Sequence, residues 1–103
     1  MEKGEIRWYK FSNPDKKRPV AILTRTTALE YLGEITVAPI TSTVRHIPSE
    51  VLLTGEDGMP RNCAINLDHI QTVSKGKIGP LIAVLSPRKL SDLKTALRFV
   101  FGL

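Results

Sequence analysis

Basic and hydroxyl-bearing side chains occur in two short runs of the sequence, Lys16-Lys17-Arg18 and Thr41-Ser42-Thr43. The guanidinium of Arg18 can place a planar fork of N–H donors on a phosphate, a geometry that lysine cannot reproduce. The hydroxyls of Thr41 and Ser42 can donate hydrogen bonds to the same kind of group. Lys16 and Lys17 also suit phosphate contacts, although paired lysines at a turn are more often simply solvated. These residue types therefore indicate phosphate binding.

The sequence offers little for a metal centre or a disulfide. Cys63 is the single cysteine, and one thiol with two histidines makes a poor metal site by count alone. The ten acidic residues are not clustered as a site bridging two metal ions about 3.5–4 Å apart would require. We therefore expect no metal and no cofactor, and we expect Cys63 to fill a strand position as a small hydrophobe.

Composition narrows the class of protein. A chain of 103 residues fits one domain, residues 1–103, with a modest hydrophobic core. The net charge of +5 would attract a polyanion, with nucleic acid or an acidic protein segment as the leading partners. No apolar run approaches the roughly 20 residues that span a bilayer, and the first residues lack an apolar signal region. We expect a cytoplasmic protein that does not enter a membrane.

The elements that must position these side chains are mostly short strands. Aromatic and β-branched residues in alternation predict them over Gly4–Phe11, Arg18–Thr24, Glu34–Thr41, Glu50–Leu53, Cys63–Leu67, Ile70–Val73 and Leu81–Leu85. In the first strand, Ile6 and Trp8 should share one face and Tyr9 and Phe11 the other. Trp8 and Tyr9 can stack on bases, but aromatic residues in such a strand are more often core. The close spacing favours a small barrel or a coiled antiparallel sheet.

Turns and one helix complete the predicted elements. Turn chemistry marks Ser12–Asp15 and Gly55–Pro60, and a short helical turn is predicted over Thr26–Leu32, capped by Thr26. The period then changes to a helical one, with Ser86 as N-cap, Pro87 at the first position, Gly102 after the end and an apolar stripe of Leu90, Leu93, Leu97 and Phe101. Lys89, Lys94 and Arg98 on the opposite face should be a solvated face or part of a basic surface.

Three blocks in order resemble the MazF/PemK family of bacterial toxins across nearly the whole chain. They are Lys3-Gly4-Glu5-Ile6-Arg7-Trp8-Tyr9 with Arg18-Pro19-Val20, then Val37-Ala38-Pro39-Ile40-Thr41-Ser42-Thr43, then Ile65-Asn66-Leu67-Asp68-His69-Ile70-Gln71-Thr72-Val73 with Ile78-Gly79 and the C-terminal helix. The resemblance implies a small SH3/Sm-like coiled β-barrel with a C-terminal helix and short accessory helices, shared with the toxins CcdB and Kid. It also implies a homodimer with its active site beside the groove between subunits.

The resemblance further implies an activity and a partner. Family members are toxins of type II toxin–antitoxin systems that cleave single-stranded RNA at specific sequences without a metal. The 2′-hydroxyl of the substrate attacks the adjacent phosphorus, which leaves a 2′,3′-cyclic phosphate and a 5′-hydroxyl. An acidic antitoxin protein neutralises them. By motif match, Arg18 and Thr41 are the catalytic residues of this chain, while Lys16, Lys17, Ser42, Asp68 and Gln71 are candidates for RNA binding.

Some positions depart from the family pattern. Many relatives carry a longer, glycine-rich loop with a glutamate before the Arg-Pro pair, whereas this chain passes directly through Asn13-Pro14-Asp15-Lys16-Lys17. Asp68 matches a base proposed in PemK-like members, but the arginine two positions earlier is Asn66 here. Asp68 therefore has two interpretations, a proton acceptor or an organiser of hydrogen bonds at a strand junction. His69 and Gln71 stand where relatives often have Gln and Arg.

Two other functions remain open for the same fold. One is a non-catalytic gyrase poison like CcdB, and the other is a degenerate family member that binds RNA without cutting it. The pair Arg18 and Thr41 favours the nuclease, because a gyrase poison has no need of a phosphate clamp. Since an arginine guanidinium stays protonated at pH 7, we assign Arg18 to electrostatic stabilisation rather than to proton abstraction.

Overall fold

In the computed structural model of the protein, the described residues are 1–10 and 16–103, and they form seven β-strands and one α-helix. The strands are β1 (Glu5–Lys10), β2 (Lys17–Ile22), β3 (Glu34–Thr41), β4 (Glu50–Leu53), β5 (Cys63–Asn66), β6 (Gln71–Ser74) and β7 (Ile78–Val84), and the helix is α1 (Pro87–Phe101). The predicted class, mainly β with a C-terminal helix and short accessory helices, is confirmed. The predicted turn over Ser12–Asp15 and the predicted strand end at Phe11 lie outside the described residues.

The strands form one antiparallel sheet in the order β4-β5-β3-β2-β1-β7, with β6 paired to β3. Strand β3 is shared among three partners. Its middle pairs with β2, its first half pairs with β6, and its last two residues pair with β5. Because one strand changes partner along its length, the sheet curls into a half-barrel rather than staying flat.

Both faces of the sheet bury apolar side chains. Ile6 belongs to the cluster that α1 covers, whereas Tyr9 belongs to a second cluster on the other face. The predicted alternation along β1 is therefore confirmed for Ile6 and Tyr9, while Phe11 lies outside the described residues. The second cluster also contains Leu29, from the short 3₁₀ turn that follows β2, and Lys75 Nζ donates a 2.7 Å hydrogen bond to the carbonyl of Leu29. This bond ties the turn to the segment between β6 and β7.

Gly4 brings the start of β1 close to α1. Its φ is +89°, and a Cβ at this position would lie 2.6 Å from Cδ2 of Leu90. A side chain here would clash with the helix and strain the backbone as well. Glycine before β1 therefore lets the helix pack directly against the strand end.

The ends of α1 agree with the sequence prediction. Ser86 Oγ accepts a 3.2 Å hydrogen bond from the backbone N–H of Lys89, Pro87 is the first helical residue, and Gly102 follows the last one. Leu93 is buried, but the predicted place of Phe101 in the apolar stripe is wrong, because its side chain is 60% exposed. Two helical turns span 7.2 residues, so Val100 rather than Phe101 lies in line with Leu93.

The three basic residues of α1 predicted to share one face differ in their exposure to solvent. Lys94 and Arg98 are exposed, as a solvated face requires. Lys89 is half-buried instead, and its Nζ donates a 2.5 Å hydrogen bond to the carbonyl of Leu52 and lies 3.9 Å from Oδ2 of Asp57. The prediction that Lys89 is part of a solvated or basic surface is therefore wrong, because the first turn of the helix packs beside β4.

The short helical turns differ in how they begin. The turn predicted over Gly55–Pro60 contains a 3₁₀ turn (Gly55–Asp57) capped by Thr54, whose N–H donates to Asp57 Oδ2 at 2.8 Å. The helical turn after β2 is a 3₁₀ turn (Thr26–Ala28) with Arg25 at the N-cap and no side-chain cap. Thr26 is therefore not the cap. Its hydroxyl instead accepts a 3.0 Å hydrogen bond from the N–H of Lys3.

Several strand boundaries also differ from the predicted ones. Strand β2 ends at Ile22, two residues before the predicted end, because Thr24 Oγ1 accepts the N–H of Thr36 at 2.8 Å and replaces a ladder bond. Strand β7 starts at Ile78, three residues before the predicted start. Over residues 1–10 and 16–103, no helix has the length and apolar character needed to cross a membrane.

Candidate functional site

A groove of about 710 Å³ opens where β2 begins and β3 ends. Its lining combines cations, hydroxyls and apolar side chains: Trp8, Lys16, Lys17, Arg18, Pro19, Pro39, Ile40, Thr41, Ser42, Thr43, Met59, Pro60, Arg61 and Cys63. The structure thus brings together five of the residues predicted for the site, namely Lys16, Lys17, Arg18, Thr41 and Ser42. A concave site of this size suits a segment of an extended ligand.

A proline explains why the groove opens at this point. The ladder between β2 and β3 runs from Ile22↔Val37 to Val20↔Pro39 and ends there. The N–H of Leu23 donates to the carbonyl of Thr36, so the alternation along β2 turns position 19 toward β3, and Pro19 has no N–H to continue the ladder. Beyond Pro39, strand β3 pairs with β5 instead, and the two strands separate.

Arg18 and Thr41 line this opening from two different strands. The last pair of the ladder is Val20↔Pro39, and Arg18 lies two residues before Val20 while Thr41 lies two residues after Pro39, so each keeps the side of its strand that the pair defines. Residues in directly opposite positions point to the same side of a sheet. The guanidinium and the hydroxyl can therefore approach one phosphate from two walls of the groove.

The hydroxyl of Thr41 is oriented by the chain that follows it. Thr41 Oγ1 accepts a 3.1 Å hydrogen bond from the backbone N–H of Thr43. A threonine hydroxyl has two acceptor positions and one hydrogen to donate, so this bond uses an acceptor position and leaves the donor role compatible with a ligand. Because β3 ends at Thr41, the bond also sets the direction in which Ser42 and Thr43 follow the groove wall.

The third side of the groove comes from the segment before β5. Strand β5 pairs with the end of β3 through Ile40↔Ile65 and Thr41↔Ala64, which brings Met59, Pro60 and Arg61 beside the hydroxyl run. Arg61 was not among the residues predicted for the site, because its position depends on the long-range pairing of β5 with β3. Its charge and its place after a predicted turn were the available signals.

Cys63 lies at the floor of the groove and is 5% exposed. Burial raises the pKa of the Cys63 thiol above its ordinary value, and the carboxylate of Asp57 raises it further, while Arg61 opposes both effects. The thiol therefore stays neutral at physiological pH and is a poor nucleophile. The expectation of a strand-filling cysteine is confirmed, since Cys63 is the first residue of β5 and packs in the core.

Asp68 and Gln71, two further predicted RNA contacts, do not line the groove. Asp68 lies on a 3₁₀ turn (Leu67–His69), is exposed, and accepts a hydrogen bond from Ser49. Gln71 starts β6, is exposed, and pairs with Val37 in the middle of β3. Both residues are thus reached only by a ligand that extends past the groove.

The described lining of the groove contains no aspartate, glutamate or histidine. Within the described ranges, no group of three or more His, Cys, Asp or Glu side chains is placed to hold a metal ion. His46 lies outside the groove, in a loop where its φ is 55°, and it borders a smaller cavity beside β4. The chemistry that the described groove offers is therefore hydrogen-bond donation and positive charge.

A comparison with protein families identifies the family. Residues 2–101 match the model of the PemK-like, MazF-like toxins of type II toxin–antitoxin systems. The chain belongs to the PemK/MazF toxin family. This match covers the strands that carry Arg18 and Thr41 as well as α1, and it confirms the resemblance drawn from the sequence motifs.

Individual members of the PemK/MazF family agree with this assignment. The probable endoribonuclease MazF5 of Mycobacterium tuberculosis is 35% identical over 96 residues, which are 92% of this chain and 87% of that protein. The solved structure of the Mycobacterium tuberculosis toxin MazF-mt6 has a TM-score of 0.87 and 33% identity, and the match covers 96% of this chain and 97% of the other. A mycobacterial endoribonuclease solved in complex with its cognate antitoxin has a TM-score of 0.88 at 21% identity, over 100% and 96% of the two chains, and shares the fold.

Proposed function

We propose that this chain is a cytoplasmic toxin that cleaves single-stranded RNA at specific sequences, without a metal, by attack of the substrate 2′-hydroxyl. The observation that carries the proposal is the pair Arg18 and Thr41, which line one groove from two strands together with further cations. The endoribonuclease names of its relatives support the same reaction class.

Each groove residue has a distinct part in this reaction. The guanidinium of Arg18 binds two phosphoryl oxygens and stabilises the negative charge that develops on them. The hydroxyl of Thr41, with Ser42 beside it, donates to the same oxygens. Lys16 and Lys17 hold neighbouring phosphates of the strand. Asp68 and Gln71 contact RNA that extends beyond the groove.

The substrate supplies its own nucleophile. Water takes the proton of the 2′-hydroxyl as its oxygen forms a bond to the adjacent phosphorus, and the bond from phosphorus to the 5′-oxygen of the next nucleotide breaks. The leaving oxygen takes a proton from water and becomes a 5′-hydroxyl, while the other product ends in a 2′,3′-cyclic phosphate. Preorganised donors accelerate this step because negative charge on the phosphoryl oxygens is greater in the transition state than in the substrate.

The test is incubation of the purified protein with end-labelled RNA in EDTA. We expect cleavage at defined positions, with a 2′,3′-cyclic phosphate and a 5′-hydroxyl as the new ends. RNA with 2′-deoxyribose at the nucleotide 5′ to the scissile phosphate should bind and stay intact, and a binding assay must show that it occupies the protein. A 5′-phosphate product, or cleavage of the bound deoxy-substituted strand, would exclude this mechanism. Inhibition of gyrase without RNA cleavage would support the poison instead.

We further propose that an acidic antitoxin segment neutralises the protein by occupying the RNA groove. The net charge of +5 and the cations of the groove support this arrangement, and a relative in fold has been solved with its cognate antitoxin. Because the charges involved are exposed, salt screens their attraction. The Debye length is about 8 Å at physiological ionic strength and shortens as salt is added, so antitoxin binding should weaken above that ionic strength. An antitoxin that bound without displacing RNA would contradict the proposal.

Finally, we propose a homodimer. Strand β7 stands at one end of the strand order, and large apolar side chains are exposed on it and on the end of α1: Leu81, Val84, Phe99, Phe101 and Leu103. Exposed apolar surface of this kind is typical of protein interfaces. Sedimentation equilibrium of the wild type and of Val84→Asp tests this proposal, and a wild type that stays monomeric at micromolar concentration would contradict it.

A further inference from the structure

Trp8 is an exposed aromatic residue in the wall of the groove. Its side chain is 39% exposed, although the preceding residue on the same face of β1, Ile6, is fully buried under α1. Its chain neighbour Tyr9 is 6% exposed and packs in the other core cluster. Of the two aromatic residues in this strand, only Tyr9 therefore acts as core, and the exposure of Trp8 requires another explanation.

The strands beside Trp8 leave its indole uncovered. On one side, Trp8 pairs with Pro19, a small side chain that also lines the groove. On the other side, the register between β1 and β7 shifts from Arg7↔Leu81 to Tyr9↔Ile78. Two residues of β7, Gly79 and Pro80, therefore stand opposite the single residue Trp8, which is a β-bulge.

A backbone contact and a hydrogen bond from Arg7 hold the bulge close to Trp8. A Cβ at Gly79 would lie 3.3 Å from the carbonyl oxygen of Trp8 and 3.5 Å from its Cβ, so the two backbones are already in contact. The carbonyl of Gly79 accepts a 3.0 Å hydrogen bond from Nη1 of Arg7, and Nε of Arg7 pairs with the buried Glu5 at 2.6 Å. Bulges re-aim side chains, and the residue of this bulge that contacts Trp8 is a glycine, which has no side chain to cover the indole.

Positive charges share the groove with this indole. Lys17 and Arg18 lie on β2 next to Pro19, the partner of Trp8, and Arg61 lines the groove from the segment before β5. Single-stranded nucleic acid is bound by this combination, in which cations follow the phosphates and aromatic side chains stack on bases. Trp8 shares the groove with these cations, whereas the more exposed Tyr31 does not line it.

We propose that Trp8 is the base-stacking residue of the groove, and that it stacks on a base next to the phosphate held by Arg18. This inference rests on the proposed function, since it takes single-stranded RNA as the ligand. Stacking holds the nucleotide in position along the groove and selects for an unpaired base, because a base within a duplex does not present its face. Trp8 thereby contributes to substrate selection while Arg18 and Thr41 act on the phosphate.

The test uses the fact that Trp8 is the single tryptophan of the chain, so its fluorescence reports on this position alone. The probe is the best-cleaved RNA with 2′-deoxyribose at the scissile nucleotide, or an unmodified RNA if none is cleaved. We expect the wild-type fluorescence to be quenched on titration, and we expect the quench to disappear when one particular nucleotide of the probe is made abasic. Stacking of one base corresponds to a change of about 5- to 150-fold in affinity.

Variants measured by anisotropy of labelled RNA complete the experiment. Trp8→Ala should weaken RNA binding by about 5- to 150-fold. Trp8→Phe retains an aromatic ring, so it should keep most of the affinity, and it controls for folding. Tyr31→Ala is the matched control, because Tyr31 is an aromatic residue that is 83% exposed and does not line the groove. It should bind as the wild type does.

The outcomes separate this inference from the proposed function. If the wild type cleaves RNA but Trp8→Ala binds and cleaves equally well, the stacking inference is wrong and the nuclease remains. If RNA quenches Trp8 and the abasic probe does not, but no RNA is cut, the inference holds and the nuclease proposal fails. If the wild type does not bind RNA, both are overturned.

Discussion

The hydroxyl of Ser49 donates a 2.6 Å hydrogen bond to Oδ2 of Asp68. Ser49 is 3% exposed, and its carbonyl accepts the N–H of Leu67 at 3.0 Å, so the bond joins the loop before β4 to the turn after β5. The N–H of Asp68 is in turn held by Oδ1 of Asn66 at 3.1 Å. Of the two interpretations of Asp68, these contacts support the one in which it organises hydrogen bonds at a strand junction.

Ser49→Ala should therefore lower the free energy of unfolding by about 1 kcal/mol, because one largely buried hydrogen bond is lost. The carboxylate of Asp68 is still present in this variant, so the rate of RNA cleavage should stay within about twofold of the wild type. Urea denaturation and a cleavage assay measure the two effects. Unchanged stability would show that the bond does not hold the junction together.

Arg18→Lys and Thr41→Ala should each reduce the rate of RNA cleavage by about 10²–10³, the usual effect of losing one preorganised donor to transition-state charge. Arg98→Lys makes the same chemical change on the exposed face of α1 and should cleave at the wild-type rate. Single-turnover kinetics provide the rates, and circular dichroism checks that each variant is folded. A folded Arg18→Lys that cuts normally would remove Arg18 from the site.

Lys17→Ala should reduce the salt dependence of RNA binding. Each phosphate contact contributes about 0.7 to the slope of log affinity against log salt for a single strand, so the slope should become shallower by about this amount. Lys94→Ala removes the same charge from the exposed face of α1 and should leave the slope unchanged. Anisotropy titrations between 50 and about 300 mM salt measure the slope. Equal slopes in the two variants would mean that Lys17 touches no phosphate.

Cys63 should make stability fall at alkaline pH. Its pKa is raised in the folded state by burial and by Asp57, so the thiol is neutral in both states below about pH 8.5, and its contribution to stability is complete there. Above that pH the unfolded chain releases the proton while the folded chain keeps it, and the free energy of unfolding decreases.

The contribution of Cys63 is the difference between the wild type and Cys63→Ala, measured by urea denaturation from pH 7 to 10. The wild type should lose stability more steeply with pH than the variant. Alkylation by iodoacetamide at pH 8 should also be much slower in the folded protein than in urea. Equal alkylation rates in the two conditions would show that folding neither buries the thiol nor raises its pKa.

Local patterns were sufficient to predict most elements of the fold. Alternation along β1 correctly separated Ile6 from Tyr9, and Ser86 with Pro87 correctly marked the start of α1. These features depend on residues that are near in the sequence. The predicted apolar stripe of α1 was wrong only at Phe101. Successive steps of four residues exceed the helical period of about 3.6, so this residue has moved off the buried face.

The groove was predictable only in part, because it depends on pairings between distant strands. Arg18 and Thr41 were identified by motif, but their place in one groove follows from the pairing of β2 with β3 and from the point where that pairing ends. Arg61 enters through the pairing of β5 with β3, and Trp8 is exposed through a bulge that β7 forms against β1. Periodicity within one segment contains no information on which strand will be its neighbour.

Pro19 and Pro39 lie where the strands around the groove separate, and they also affect how the protein behaves when it is concentrated. Strands that separate leave backbone groups without a partner, and such edges recruit strands from other molecules, which leads to aggregation. Pro19 has no N–H to offer on the edge of β2 that faces the opening, and Pro39 has none on the opposite edge of β3, between its pairings with β6 and β5. The molecule can therefore keep an open cleft in its sheet without presenting a full template for edge-to-edge association, and replacing Pro19 by valine would give the ladder a further donor and remove this protection.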